Sequence, residues 1–320
     1  MLDRFFKTLF IDYRGQVIRV LQGQPMDSQL NMVVDRYGEI LLPPGEPLAD
    51  SADRLREFLS INRFKATKTV VGIGQGGIIC RSTRVPKVSV KDLHSMMQLN
   101  ISEHLPVSVE EYALDYKVLD VVEEEDREYL DLMLAAIPHQ QVETCATLLE
   151  QAGLNLLAID ILPNMLHYLL KHQHYANSLV VDGGQDGTHV VIFKGKSLFM
   201  YADIPFKTNT ADFSILYNEL RGYLEYFASR NYGRTVDGIT VWGELATLPD
   251  IAVELEGQFA LPVTTGIEQI GPINFIDQGL GFATQAGVYA GNLGLMMRGN
   301  NRQSSVAITS PMSHGASPSV

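Results

Sequence analysis

The sequence predicts an α/β protein of two lobes, with a small α+β insert in the first lobe and a reduced second lobe. Three observations predict it. Residues 179–206, LVVDGGQDGTHVVIFKGKSLFMYADIPF, read as three strands joined by tight turns. An apolar run closes on Asp182, a glycine-rich turn follows, and a β-branched run returns to a second turn at Lys194-Gly195-Lys196. A weaker copy stands at 9–21, LFIDYRGQVIRVL, where Asp12 closes the run and Gly15 makes the turn. Two such hairpins near the starts of two halves suggest a duplicated architecture. From 85 to about 154 the pattern changes to an alternation of strands and helices that reads as the insert. An aspartate at a strand end, followed by glycines with uncovered N–H groups, is one way to build a phosphate cradle. An ordinary glycine-turn hairpin is the commoner use of the same pattern.

Composition narrows the function classes. A chain of 320 residues, 46% hydrophobic and 19% charged, can bury sizeable cores. A net charge of −12 argues against general nucleic-acid binding and against electrostatic attachment to an anionic membrane. Cys80 and Cys145 are too few for a disulfide framework, which points to a reducing compartment. Asp3, Arg4 and Lys7 break the apolar run that a signal peptide needs. The greasiest stretch, 154–170, is interrupted by Asp160, Pro163, Asn164 and His167, so no direct membrane insertion is expected.

In lobe one, 31–42 reads as a strand pair ending at Pro43-Pro44-Gly45. Residues 49–62 form an amphipathic helix with Leu55, Phe58 and Leu59 on one face. A strand at 68–72 leads into Gly72-Ile73-Gly74-Gln75-Gly76-Gly77, which matches GxGxxG. The dinucleotide mechanism needs a helix to follow, and 78–83 reads as another strand. The insert has a helix over 88–103 stopped at Leu105-Pro106, strands over 111–121 and 128–137, and a helix over 138–152 closed by Gly153. The acidic run between those strands, 123–126, is a solvated turn. A strand at 156–161 and a helix at 163–172 lead to lobe two. There the pattern gives helices at 213–228 and 250–259, strands at 238–242 and 261–265, and a small-residue helix from 282. Residues 299–320 are expected to be a disordered tail. His172 and His174 have no further ligand at metal-binding spacing, and no Ser/His/Asp constellation appears, so neither a metal nor a catalytic residue is assigned.

In order and spacing these segments resemble the type IV pilus assembly protein PilM family, relatives of the cell-division protein FtsA within the actin-like (ribonuclease H-like) fold, over about 8–298. The resemblance rests most on Arg81-Ser82-Thr83-Arg84-Val85-Pro86, Glu103-His104-Leu105-Pro106, Asp115-Tyr116-Lys117-Val118-Leu119, 132–136, Ala152-Gly153-Leu154 and Ala158-Ile159-Asp160. It implies lobe one at 1–84 and 155–178, the insert at 85–154, and lobe two at 179–298. The last helix, 282–298, would pack back toward lobe one. It also implies that the hairpins are phosphate motifs for Mg-ATP. Asp12, Ile18 and Arg19 match the first, Asp182, Gly184 and Thr188 the second, and the Gly243 turn matches the adenosine motif. The departures are chemical. Arg14 replaces a glycine, Gln16 and Val17 replace small hydroxyl residues, and Glu244 stands where a second glycine belongs. The family's helical insertion between Phe206 and Phe213 is missing. A vestigial nucleotide site of Asp12, Arg14, Arg19, Asp182, Gly184, Thr188, Gly243 and Glu244, with no bound cofactor and no catalysis, is therefore expected.

The partner that the resemblance implies is the N-terminal cytoplasmic tail of a PilN-like single-span membrane protein. The protein would then be cytoplasmic and peripheral to the inner membrane through that partner. Met97, Leu105, Pro106, Tyr112 and Tyr116, at the junction of lobe one with the insert, are the residues expected to hold the tail. Pilus assembly ATPases and self-association are further partners of the same kind. Three alternatives stay open: a related type II secretion assembly protein, a working actin-like ATPase or small-molecule kinase with Asp12 and Asp182 on the metal, and a filament-forming protein like FtsA.

Overall fold

The computed structural model describes residues 7–29, 31–105, 107–170, 175–265, 274–277 and 281–298. Pro106, His172, His174 and the tail expected at 299–320 lie outside the described residues. The chain begins with β1 (Thr8–Arg14), β2 (Val17–Gln24), β3 (Asn31–Leu41), α1 (Leu48–Ile61) and β4 (Lys68–Ile73). Next come β5 (Ile79–Pro86), α2 (Val90–His104), β6 (Tyr112–Glu124), β7 (Arg127–Pro138) and α3 (His139–Gln151). β8 (Asn155–Ile161) and α4 (Leu162–Leu169) lead to the hairpins β9 (Asn177–Gly183), β10 (Thr188–Lys194) and β11 (Ser197–Ile204). The rest is α5 (Ser214–Arg230), β12 (Gly238–Gly243), α6 (Ile251–Phe259), β13 (Val263–Thr265), β14 (Asn274–Asp277), α7 (Phe282–Gln285) and α8 (Ala290–Met297).

Two mixed sheets carry the lobes, in the orders β14-β3-β2-β1-β4-β8 and β11-β10-β9-β12-β13. Each is built on one of the hairpins read from sequence. In the first, β1 pairs antiparallel with β2 and sets Asp12 opposite Arg19; Gly15 makes the turn at φ 77°. In the second, β9 pairs with β10 and sets Asp182 opposite His189. The strand pair expected over 31–42 is one strand, β3, lying along β2 with a register shift between Gln22 and Gly23. Gly38 there is not a turn residue. Its missing side chain makes room for the Phe58 ring of α1, which a Cβ would meet at 2.9 Å.

The insert is a three-stranded sheet in the order β5-β7-β6, covered by α2. Ser89 caps α2 by accepting from the Asp92 N–H at 3.2 Å. Its boundaries differ from those expected. β5 starts at Ile79 and pairs along β7, so the sheet begins before residue 85. α3 buries Cys145, Leu148 and Leu149 with Leu55 and Leu59 in the lobe-one core, so it belongs with lobe one.

The C-terminal helix is broken in two, α7 and α8. At the break the Gly287 carbonyl, between them, accepts the Gly243 N–H at 2.9 Å. α8 lies on α4, β1, β2 and β4. Asn292 Nδ2 donates to the carbonyls of Phe10 (2.8 Å) and Arg19 (2.9 Å), stitching the helix to the first hairpin. Among the described residues no helix is long and apolar enough to cross a membrane.

Candidate functional site

The hairpins of the two lobes face each other across a cleft, and Asp12 and Asp182 lie at its floor, both with no exposed surface. Arg14 bridges them. Its Nε donates to both oxygens of Asp12 at 3.1 Å, and its Nη2 donates to Asp12 Oδ2 at 2.8 Å and to Asp182 Oδ2 at 2.6 Å. Burial opposes the guanidinium charge, but Asp12, Asp182 and Asp186 outweigh it and hold the Arg14 pKa well above its usual value. One tethered cation thus pairs with carboxylates from both lobes, while Asp182 Oδ1 and Arg14 Nη1 stay buried without a hydrogen-bond partner among the described residues.

Higher in the cleft, Arg19 makes a second cross-lobe bridge. It is fully buried, and its Nε donates to Glu39 Oε2 (2.7 Å) while its Nη2 donates to Glu244 Oε1 (2.8 Å). Thr208 Oγ1 donates to Glu244 Oε2 at 3.0 Å. Glu244 therefore turns to a guanidinium rather than into open space. The remaining expected residues are also here and also engaged. Thr188 Oγ1 donates to the Phe206 carbonyl at 3.0 Å. The Gly184 N–H is bonded to the Gly187 carbonyl at 2.8 Å. Gly243 has φ 74°, and a Cβ there would stand 2.5 Å from Asp182 Oδ1. All eight residues of the expected vestigial site converge on one cleft.

Sequence reasoning missed Asp186, His189 and Asp203. Asp186 stood inside the glycine turn and His189 next to Thr188, so their neighbourhood was the available signal. His189 Nδ1 lies 2.7 Å from Asp203 Oδ1, and its Nε2 is 4.0 Å from Asp186 Oδ2, an ion-pair rather than a hydrogen-bond separation. Burial pulls the imidazole pKa down, but the two facing carboxylates prevail and lift it to about 9. Asp186 is held at about 2, against its own burial, by His189 and Arg14. The stabilisation from charged His189 is complete below about pH 6.5 and lost as pH rises through about 9. A His189→Gln variant should accordingly trail the wild type by about 3 kcal/mol at pH 6 and by much less at pH 10, measured by urea melts. Among the described residues no group of three or more His, Cys, Asp or Glu side chains is arranged to hold a metal.

The second expected site is placed differently. Met97 and Leu105 are buried in the insert's own core with Leu93, Ile101 and Leu132, and half-buried Tyr112 and Tyr116 pack on the same cluster. Strand alternation explains it. Tyr112, Leu114, Tyr116 and Val118 face α2, while Ala113 joins the lobe-one cluster and Leu119 the cluster shared by the two lobes. The junction with lobe one is therefore lined by the other face of β6, around Asp115 and Lys117. Lys117 Nζ donates to Asn164 Oδ1 at 2.6 Å and stands 3.8 Å over the Tyr168 ring. Asn164 in turn donates to Asp160 Oδ1 at 2.7 Å, and Arg298 Nε is 3.7 Å from Asp160 Oδ2. Burial, with Asp160 adding to it, pushes the Asp115 carboxyl up to about 6. Its stabilising balance is present below about pH 3.8 and lost as pH rises through about 6. Asp115→Asn should therefore gain up to about 3 kcal/mol at pH 7.5 and almost nothing at pH 4, read from the two melting temperatures. Beside this cluster β8 is the last strand of its sheet, with Leu157 half exposed.

The family model described as type IV pilus assembly protein PilM matches residues 33–194. No curated protein matches the chain. Among solved structures, a PilM-PilN type IV pilus biogenesis complex is similar at TM-score 0.71 and 18% identity, covering 91% of this chain and 98% of that one. The cytoplasmic domain of EpsL, an inner membrane component of the type II secretion system of Vibrio cholerae, gives TM-score 0.46 and 13% identity, with 91% and 94% covered. A Bacteroides thetaiotaomicron protein with an actin-like ATPase fold gives 0.48 and 14%, with 88% and 95% covered. The first likeness, over nearly the whole chain, shows a shared fold.

Proposed function

The chain belongs to the type IV pilus assembly protein PilM family and has the actin-like fold, and from that premise we propose that it is an assembly scaffold whose cleft no longer takes a nucleotide. The observation that carries the second half is the Arg14 bridge between Asp12 and Asp182. A magnesium ion would have to displace a guanidinium already bonded to both carboxylates. A triphosphate would meet Asp12, Asp182, Asp186 and Glu244 with their cations already engaged. These residues do not fit Mg-ATP, and no reaction step is assigned to them. The ATPase alternative needs a free metal clamp and lacks one here.

The scaffold half follows the relative seen as a PilM-PilN complex. The partner is read as the cytoplasmic tail of a PilN-like protein, which would also bring the chain to the inner membrane. Its docking place is the junction of lobe one with the insert, where the β8 edge and Leu157 are available to an added strand. A half-buried carboxylate kept at a cost, Asp115, marks the same junction. A synthetic tail peptide should bind at micromolar strength, about −8 kcal/mol. Leu157→Asp should weaken it at least about tenfold with the melting temperature unchanged, and Mg-ATP should leave the affinity as it was. Full binding by Leu157→Asp would move the site away from this edge.

A further inference from the structure

Outside the two ion-pair bridges the lobes leave a second space, at the mouth of the cleft. It has a volume of about 440 Å³, within the range of small-molecule sites. Glu39, Glu244, Gln185, Asn209, Gln285 and Tyr289 supply much of its polar wall, with Leu248 and Val288 between them. Among the described residues no lysine or arginine lines it. Arg19 is shared by Glu39 and Glu244, so two carboxylates and one guanidinium leave the wall a net negative charge.

Two atoms are left over. Glu39 Oε2 accepts from Arg19, and Glu39 Oε1 has no hydrogen bond among the described residues. Tyr289 is only 4% exposed, yet its hydroxyl has no partner among the described residues and it lines the space. Its ring packs edge-on against Tyr37 (5.5 Å) and tilted against Phe282 (5.7 Å), which holds it in the wall of the space. Burial and nearby Glu39 push its pKa up, which keeps it protonated.

We propose that this mouth binds a small aliphatic amine, a diamine or polyamine, with one ammonium group on Glu39 Oε1 beside Glu244. The ammonium finds a free carboxylate oxygen, and further N–H groups find the side-chain carbonyls of Gln185, Asn209 and Gln285. The methylene chain lies along Leu248 and Val288. A phosphate-bearing ligand finds carboxylates and no cation. The inference stands apart from tail docking, since the two places share no residue.

Isothermal titration of the full chain with putrescine, at about 150 mM salt to screen diffuse attraction, is expected to show one saturable site. Glu39→Gln should weaken it at least about tenfold. Gln285→Lys changes an exposed residue and places an ammonium in the same wall, so it should abolish binding without altering the melting temperature. Glu125→Gln, on the exposed turn between β6 and β7, should leave it unchanged. Unsaturable heat, or binding that survives both Glu39→Gln and Gln285→Lys, would be general attraction to a chain of net charge −12 and overturns the proposal. So does the absence of binding at millimolar putrescine, or capture of a lysine-rich peptide in preference to the free amine.

Discussion

Arg14→Met is expected to destabilise the protein by about 3–5 kcal/mol, roughly ten degrees in melting temperature. The methionine fills a similar volume, so the loss is electrostatic. It leaves Asp12 and Asp182 buried, without the cation that both now share; Arg14 and Asp182 stand 168 residues apart in the chain. Either the carboxylates protonate or water enters, and both cost free energy. The cause is separable from lost packing. A triple variant, Asp12→Asn with Arg14→Met and Asp182→Asn, removes the orphaned charges and should recover most of the loss. Equal instability of the single and triple variants would mean that Arg14 matters for shape and not for charge.

The second large effect lies in the helix that returns to lobe one. A Cβ at Gly294 would collide with the Met165 carbonyl of α4, and one at Gly291 would lie 2.5 Å from Asp12 Oδ2. The obstacle at Gly294 is backbone, so a rotamer change cannot relieve it. Gly294→Ala should cost about 3 kcal/mol or more, against the small gain that alanine brings to an unconstrained helix position. Gly222→Ala is the matched control. It lies in α5 with nothing near its missing side chain and should be neutral or stabilising by up to about 1 kcal/mol. Guanidinium melts of the pair check both signs.

What could be read from the sequence was local. The hairpins announce themselves through glycine turns and β-branched runs, and Asp12 and Asp182 through their places at strand ends. Arg14 was noticed as a side chain in a glycine's place, but its partner on the other lobe is fixed only when the two sheets meet. In the sequence it is one residue of an expected vestigial nucleotide site; the structure spends it on two carboxylates. The residues expected to hold the tail are placed differently for a similar reason. β6 has an apolar face and a polar one, and the apolar face was assigned to a partner. It is covered by α2 of the insert itself, while Asp115 and Lys117 turn toward lobe one. The break between α7 and α8 falls at Gly287, whose stop signal is diluted by the other small residues of the run. A hydrogen bond to Gly243, more than forty residues away in sequence, uses the carbonyl that the break frees.

In the function proposed above, a tethered guanidinium takes the place of nucleotide and metal. Thermal unfolding with about 1 mM Mg-ATP tests it most directly, because a site of about 10 µM would add about 2.7 kcal/mol, a shift of several degrees for a chain of this size. A change of less than about one degree is the predicted result. A saturable upward shift of several degrees in the wild-type protein would show that the cleft still takes a nucleotide and that Arg14 yields to it.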